Sequence, residues 1–143
     1  MSGAIAIGPL RPEDAGRLTE CFQRCYGESY VADFLYDPDA IRARLADGRL
    51  HSIVATDAAG EIVGHMALTR RDPRALTVEA GNTVVDPRCR GEGLAARLGA
   101  ALFQVCRAGG YAGFHHYPTT AHGIMQKLAV QGGGIESGVM LSY

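Results

Sequence analysis

The sequence predicts a single mixed α/β domain, and three observations predict it. Short apolar runs of strand character alternate with segments whose apolar residues recur at helical spacing. The chain has 143 residues, the length of one domain with one core, and no linker, repeat or low-complexity tract divides it. Near its middle, Val84-Val85-Asp86-Pro87-Arg88-Cys89-Arg90-Gly91-Glu92-Gly93-Leu94-Ala95-Ala96-Arg97-Leu98 carries a strand through a proline and a glycine turn straight into an amphipathic helix.

Each element has a local reason. Ala4–Ile7 reads as a short strand, and Pro9-Leu10-Arg11-Pro12-Glu13-Asp14 as a helix entry, with proline in the first turn and acids that complement the dipole. Leu18, Cys21, Phe22 and Cys25 then follow helical spacing. Tyr26–Tyr36 is aromatic and weakly periodic, part helix and part loop. Asp37-Pro38 opens a second helix to Gly48, with Ile41 and Leu45 as its apolar stripe. Leu50–Thr56 and Glu61–Thr69 are strands joined by the Asp57-Ala58-Ala59-Gly60 turn, and Ala75–Val85 is a third. The helix over Gly93–Ala108 turns Leu94, Leu98, Leu102 and Val105 inward and stops at Gly109-Gly110. Tyr111–His116 is a strand, Thr119 or Thr120 caps a helix to about Val130, and Gly134–Leu141 is a last strand.

Composition narrows the function classes. Hydrophobic content of 47% and charged content of 20% are ordinary for a globular chain, and the formal net charge of −1 implies no general attraction to nucleic acid or an anionic membrane. No apolar run approaches a membrane span, and the Met1-Ser2-Gly3-Ala4-Ile5 start has no charged n-region, so no signal peptide is expected. The four cysteines form no CxxC pair and suit a reducing cytoplasm. Cys21 and Cys25 read as buried thiols on a helix face; Cys89 sits in the glycine turn, its exposure left open, and nothing nearby marks it as a nucleophile.

The central turn carries the chemistry. A helix N-terminus offers free backbone N–H groups and the positive end of the helix dipole. Gly91 and Gly93 leave no Cβ between that backbone and an approaching phosphate, and Arg88 and Arg90 add charge from the flanks. The turn therefore reads as a pyrophosphate cradle. It is not a Walker loop, since no Gly-Lys-Ser/Thr follows, and a third glycine for the dinucleotide fingerprint is missing.

Arg90-Gly91-Glu92-Gly93-Leu94-Ala95 resembles the Arg/Gln-x-x-Gly-x-Gly/Ala signature of the GNAT superfamily of acyl-CoA N-acyltransferases. As in that family, a Val-x-Pro strand end precedes it, here Val85-Asp86-Pro87. The opening Pro9–Ala15 stretch, the Glu61-Ile62-Val63-Gly64 strand and the order of elements resemble it too, over nearly the whole chain. The resemblance implies a central mixed, mostly antiparallel sheet flanked by helices on both faces, in one domain over residues 1–143. It also implies acetyl-CoA as cosubstrate, held by Val84, Val85, Arg88, Arg90, Gly91, Glu92, Gly93, Leu94 and Ala95. The pantetheine arm would pair with the backbone near Val85 like an added strand. The family often has a further strand beyond the one that ends here, so the expectation is either a short sheet or a piece of a longer protein.

The implied reaction is direct attack of an acceptor amine on the thioester, which needs a base, an oxyanion donor and an acid. Glu79 is the candidate base. It interrupts an apolar strand six residues before Val85, which places both on one face if no bulge intervenes. A glutamate at this spacing is the general base in some GNAT histone acetyltransferases. The other reading of Glu79 is a solvated strand carboxylate paired with Arg71 or Arg74. A backbone N–H near Val85 serves the oxyanion. For the acid, the family's tyrosine position corresponds to Met125, which cannot donate a proton.

His115, His116, Tyr117 and His122 cluster nearby. They read first as polar or substrate-pocket residues, next as a replacement acid from His116 or Tyr117, and last as metal ligands. No metal is expected. His51 and His65 read as strand-pairing or pocket-lining residues. Tyr26, Tyr30, Phe34 and Tyr36 fall where the family covers its acceptor, although core packing is the more frequent explanation of such a cluster. The expected activity is N-acyl transfer to an amine of a small molecule or protein, with acyl-CoA sensing as the alternative. Neither nucleic acid nor membrane is an expected partner, and a homodimer is left open.

Overall fold

The computed structural model describes residues 3–118, 127, 130–135 and 137. Strand β1 (Ala6–Pro9) leads through a 3-10 turn at Pro12–Asp14 into α1 (Ala15–Tyr26). A second 3-10 turn, Asp33–Tyr36, precedes α2 (Pro38–Ala46). Strands β2 (Leu50–Thr56), β3 (Ile62–Thr69) and β4 (Thr77–Val85) follow, then a 3-10 turn at Pro87–Cys89, α3 (Leu94–Ala108) and β5 (Gly113–His115). The sheet order is β1-β2-β3-β4-β5. Its first three pairings are antiparallel and β4–β5 is parallel.

Alternation along the strands divides the apolar residues between two cores. Leu50, Val54, Ala67 and Val84 turn to the face covered by α1 and α2, where Leu18, Phe22, Leu35 and Ile41 are fully buried. Ile53, Ala55, Met66, Leu68 and Val78 turn to α3, against Leu94, Leu98, Leu102 and Cys106. Each such leucine or phenylalanine contributes about 1.5–3 kcal/mol by leaving water. Gly64 permits the close approach of α3: a Cβ there would stand 3.1 Å from Leu98 Cδ1 and 3.3 Å from Leu94 Cδ2. The start of α2 is set locally, since the Asp37 carboxylate accepts from the amides of Asp39 (2.9 Å) and Ala40 (3.3 Å), with Pro38 behind it.

Helices on both faces of a mostly antiparallel sheet agree with expectation, with shifts of a residue or two at most ends. The first strand lies two residues later than expected, and the ambiguous Tyr26–Tyr36 stretch resolves into loop and a 3-10 turn. Packing decides two points that the sequence leaves open. Cys89 is buried in the α3-side core rather than exposed, because the 3-10 turn rolls its side chain inward. A bulge in β4 breaks the assumed alternation between Glu79 and Val85. His65 pairs with Val84 and Ala67 with Gly81, so Asn82 and Thr83 together oppose Met66. Of the helix expected to Val130, Lys127 and Val130 are described and helical, whereas Thr119, Thr120, His122 and Met125 lie outside the described residues. In the expected last strand, Gly134, Ile135 and Ser137 are described and form no strand; the other residues lie outside the description.

Candidate active site

The sheet opens between its parallel strands. β5 pairs with β4 only from Thr77↔Gly113 to Glu79↔His115. Beyond Glu79, the β5-side edge of β4 meets no strand among the described residues. An edge left this way carries unpaired backbone donors and acceptors, a template for an extended ligand. It leads from Ala80 to Val85 into the glycine turn.

The bulge decides what that edge presents. Asn82 adopts a left-handed backbone, φ 52°, and the extra residue reverses the facing of everything after it. Glu79, opposite Thr69, lies on the α1/α2 face; Val85, opposite Gly64, lies on the α3 face. Val84 buries its side chain in the α1/α2-side core, so Val84 and Val85 can offer a ligand only backbone and the flank of Val85.

In the turn, Gly91 (φ 82°) and Gly93 (φ 71°) are left-handed, and a Cβ on either would meet nothing within 4 Å. The glycines are thus required by conformation, and the space above them is open. The first helical bond runs from the Arg97 N–H to the Gly93 carbonyl (3.1 Å), leaving the Leu94, Ala95 and Ala96 amides ahead of it. Leu94 itself packs its side chain into the core. Glu92 and Arg90 are exposed, and the Arg90 Nε–H points back at the Val85 carbonyl (3.4 Å).

Arg88 does not flank the cradle as expected. Its guanidinium folds onto Asp86, Nε to Oδ1 at 3.0 Å and Nη2 to Oδ2 at 2.8 Å, and also reaches Glu61. The stronger local partner wins, because a bidentate pair with a buried carboxylate is preorganised. Asp86 also accepts from the Arg88 amide (2.9 Å) and from Arg24 Nε on α1 (2.8 Å). These bonds, that from Arg88 first, hold its pKa far below the usual carboxylate range although burial opposes them. Sequence reasoning missed Asp86 and Arg24. An aspartate directly before Pro87 is a capping signal; the arginine arrives from a distant helix and leaves none.

Glu79 and His116 are brought together. Glu79 is half-buried beside His115 in the parallel register, and no ion pair engages it among the described residues; Arg74 pairs with Asp72 instead. Burial lowers the pKa of His116, while the Glu79 charge pulls it back up. Tyr117 is exposed and packs edge-on to His115 at 5.4 Å. The aromatic segment lines the same sheet face as Glu79. Tyr30, Phe34 and Tyr36 pack on that core, with Tyr26 5.0 Å from Tyr30. Phe34 is already covered by Arg44, 4.2 Å above its ring. His51 lies away from this cleft, bonded to the Tyr111 hydroxyl (2.7 Å). Among the described residues no group of three or more His, Cys, Asp or Glu side chains is placed to hold a metal ion.

These elements form a mixed α/β architecture whose sheet opens above a glycine turn. Residues 16–128 match the Acetyltransferase (GNAT) family, and the chain belongs to that family. No curated protein sequence matches it. Among solved structures, AAC(6')-Iy in complex with the bisubstrate analog CoA-S-monomethyl-acetylneamine is similar with a TM-score of 0.77 and 19% identity, covering 99% of this chain and 97% of that one. Glucosamine-6-phosphate N-acetyltransferase from Arabidopsis thaliana gives 0.72 and 16%, covering 98% and 97%. A GNAT family acetyltransferase from Brucella melitensis in complex with acetyl-CoA gives 0.66 and 20%, covering 86% and 81%. At these identities the likeness concerns the fold.

Proposed function

We propose that this domain is an acyl-CoA-dependent N-acyltransferase that uses acetyl-CoA and acts on an amine. The observation that carries the reading is the unpaired β4 edge leading from Ala80 to Val85 into the open, glycine-lined start of α3. A ligand with an amide-bearing arm and a pyrophosphate matches both parts, and solved neighbours bind CoA or acetyl-CoA. Acetyl-CoA supplies an acyl group activated as a thioester. Residues Arg90 to Ala95 would hold its pyrophosphate through backbone N–H groups and the Arg90 charge. Arg88 contributes by bracing the turn through Asp86 rather than by direct contact.

On the chain's side, three proton and charge tasks remain. Glu79 takes the proton from the acceptor ammonium, directly or through water. Burial disfavours the protonated imidazole of His116 although the Glu79 charge opposes this, which suits His116 to accept a proton beside Glu79. Tyr117 is then the candidate for returning a proton to the leaving thiolate. A backbone N–H near Val85 faces the developing oxyanion. The aromatic wall of Tyr26 and Tyr30 shares the Glu79 face and would contact the acceptor.

The test is calorimetric titration of CoA and acetyl-CoA, followed by CoA release with a panel of primary amines and peptides. Binding with amine-dependent release supports the enzyme. Binding with no release from any acceptor replaces it with an acyl-CoA sensor, and no binding at millimolar ligand overturns both.

A further inference from the structure

His65 is the one fully buried imidazole among the described residues, and it stands against the β4 bulge. Its Nδ1 lies 2.7 Å from the Asn82 carbonyl oxygen, and its Nε2 faces the hydroxyl of buried Ser52 on β2. A carbonyl only accepts, so Nδ1 carries the hydrogen and Nε2 accepts from the Ser52 hydroxyl, the pattern of a neutral ring. Phe22 of α1 closes over the imidazole, ring centroids 5.5 Å apart. The Asn82 side chain is held as well, since the Tyr30 hydroxyl donates to its Oδ1 (3.3 Å).

These contacts answer a question that the strand alone leaves open. A bulge is one extra residue, and in a strand with a free edge it can slide by a position and reverse the facing of its neighbours. Asn82 also sits at positive φ, which asparagine tolerates better than other side chains but still at some cost, so its contacts help hold the bulge there. We propose that His65, oriented by Ser52, is a positioning residue for acyl-CoA. It draws the Asn82 carbonyl toward the α1/α2 face, fixes the bulge at that residue, and so keeps the edge from Asn82 to Val85 in register for the pantetheine arm. The inference rests on the acyl-CoA reading above. His65 touches no reacting atom; it acts through the backbone of β4.

The experiment compares His65→Leu, which removes the donor, with His65→Asn, whose amide can replace the Nδ1–H. Two probes are titrated: CoA, and adenosine 3′-phosphate 5′-diphosphate, which reaches the turn but lacks the arm that lies along β4. The leucine variant should weaken CoA by at least about tenfold, the worth of a buried hydrogen bond, and leave the nucleotide within about twofold. The asparagine variant should recover most of the CoA affinity. Equal losses for both probes, or none for CoA, overturn the proposal.

Two readouts need no ligand. In the unaltered protein, nitrogen NMR should report the Nδ1–H tautomer of His65, and the opposite tautomer overturns the assignment even if the leucine variant fails to fold. Amide hydrogen exchange over residues 80–85 should accelerate in His65→Leu while α3 stays protected; unchanged exchange overturns the pin. If unaltered protein binds no CoA, the acyl-CoA reading falls and the role in acyl-CoA binding falls with it, whereas the NMR and exchange results still decide whether His65 fixes the bulge.

Discussion

Asp86 and Glu79 are carboxylates seven positions apart in the sequence, with opposite surroundings. Asp86 is 1% exposed and takes bonds from two arginines and a backbone amide, so its charge is fully committed to structure. Replacing it with alanine should cost on the order of 3 kcal/mol, because Arg24 and Arg88 lose a buried partner. The denaturation midpoint of Asp86→Ala measures this. Glu79 is half-buried with no ion pair among the described residues, which leaves its charge available to an ammonium or to His116. Glu79→Gln should lower kcat by about 10²-fold or more while leaving acetyl-CoA affinity near the unaltered value, as expected for a lost general base. Equal loss of binding and turnover would assign Glu79 to ligand binding instead.

At the scale of elements, β4 and α3 share the work. β4 supplies an edge that β5 leaves uncovered after three residues, and α3 begins where that edge ends. Gly93 joins them in a left-handed conformation that a side chain disfavours by about 1–2 kcal/mol. Gly93→Glu adds that strain and a carboxylate where an anion should sit. The variant should keep its far-UV circular dichroism and lose at least about tenfold in CoA affinity by calorimetry. Much of this was legible in sequence. The proline, the two glycines and the apolar spacing from Leu94 to Leu102 mark the turn and its helix. The bulge was less so: Gly81-Asn82 inside a strand is a hint, but its place depends on the partner strand. Arg88 beside two glycines looks like a phosphate ligand until Asp86 and Glu61 are seen to hold it.

Over the whole molecule, the sheet separates two cores, and the buried polar groups between them set the response to acid. Burial lowers His65 from 6.5 to about 4. Between those values the unfolded chain binds more protons than the folded one, so stability rises with pH through the window. The contribution is fully present above pH 6.5 and is lost as pH falls toward 4, by on the order of 3 kcal/mol. Asp86, whose folded pKa is depressed, adds its own loss only below about pH 4, the range in which an unfolded aspartate protonates. Urea midpoints measured at pH 7.5 and pH 5 should therefore differ in the unaltered protein, and His65→Leu should flatten that difference. A leucine variant as acid-sensitive as the original would assign the loss to other groups.

The amino-acid order alone determined the mixed α/β class, the order of strands and helices as far as β5, and a glycine turn at the mouth of an amphipathic helix. Those features are local: periodicity, capping and turn chemistry act within a few residues, so the sequence displays them directly. Only the tertiary structure decided that β4 bulges at Asn82, that Glu79 and Val85 face opposite ways, and that Arg88 braces Asp86. It alone brought His116 into the field of Glu79 and His65 under the bulge. Each of these depends on a partner on another element, such as Arg24 on α1 or Ser52 on β2. Pairing and packing select that partner from another element, 13 positions away for Ser52 and His65 and 62 for Arg24 and Asp86, and no local pattern encodes the choice.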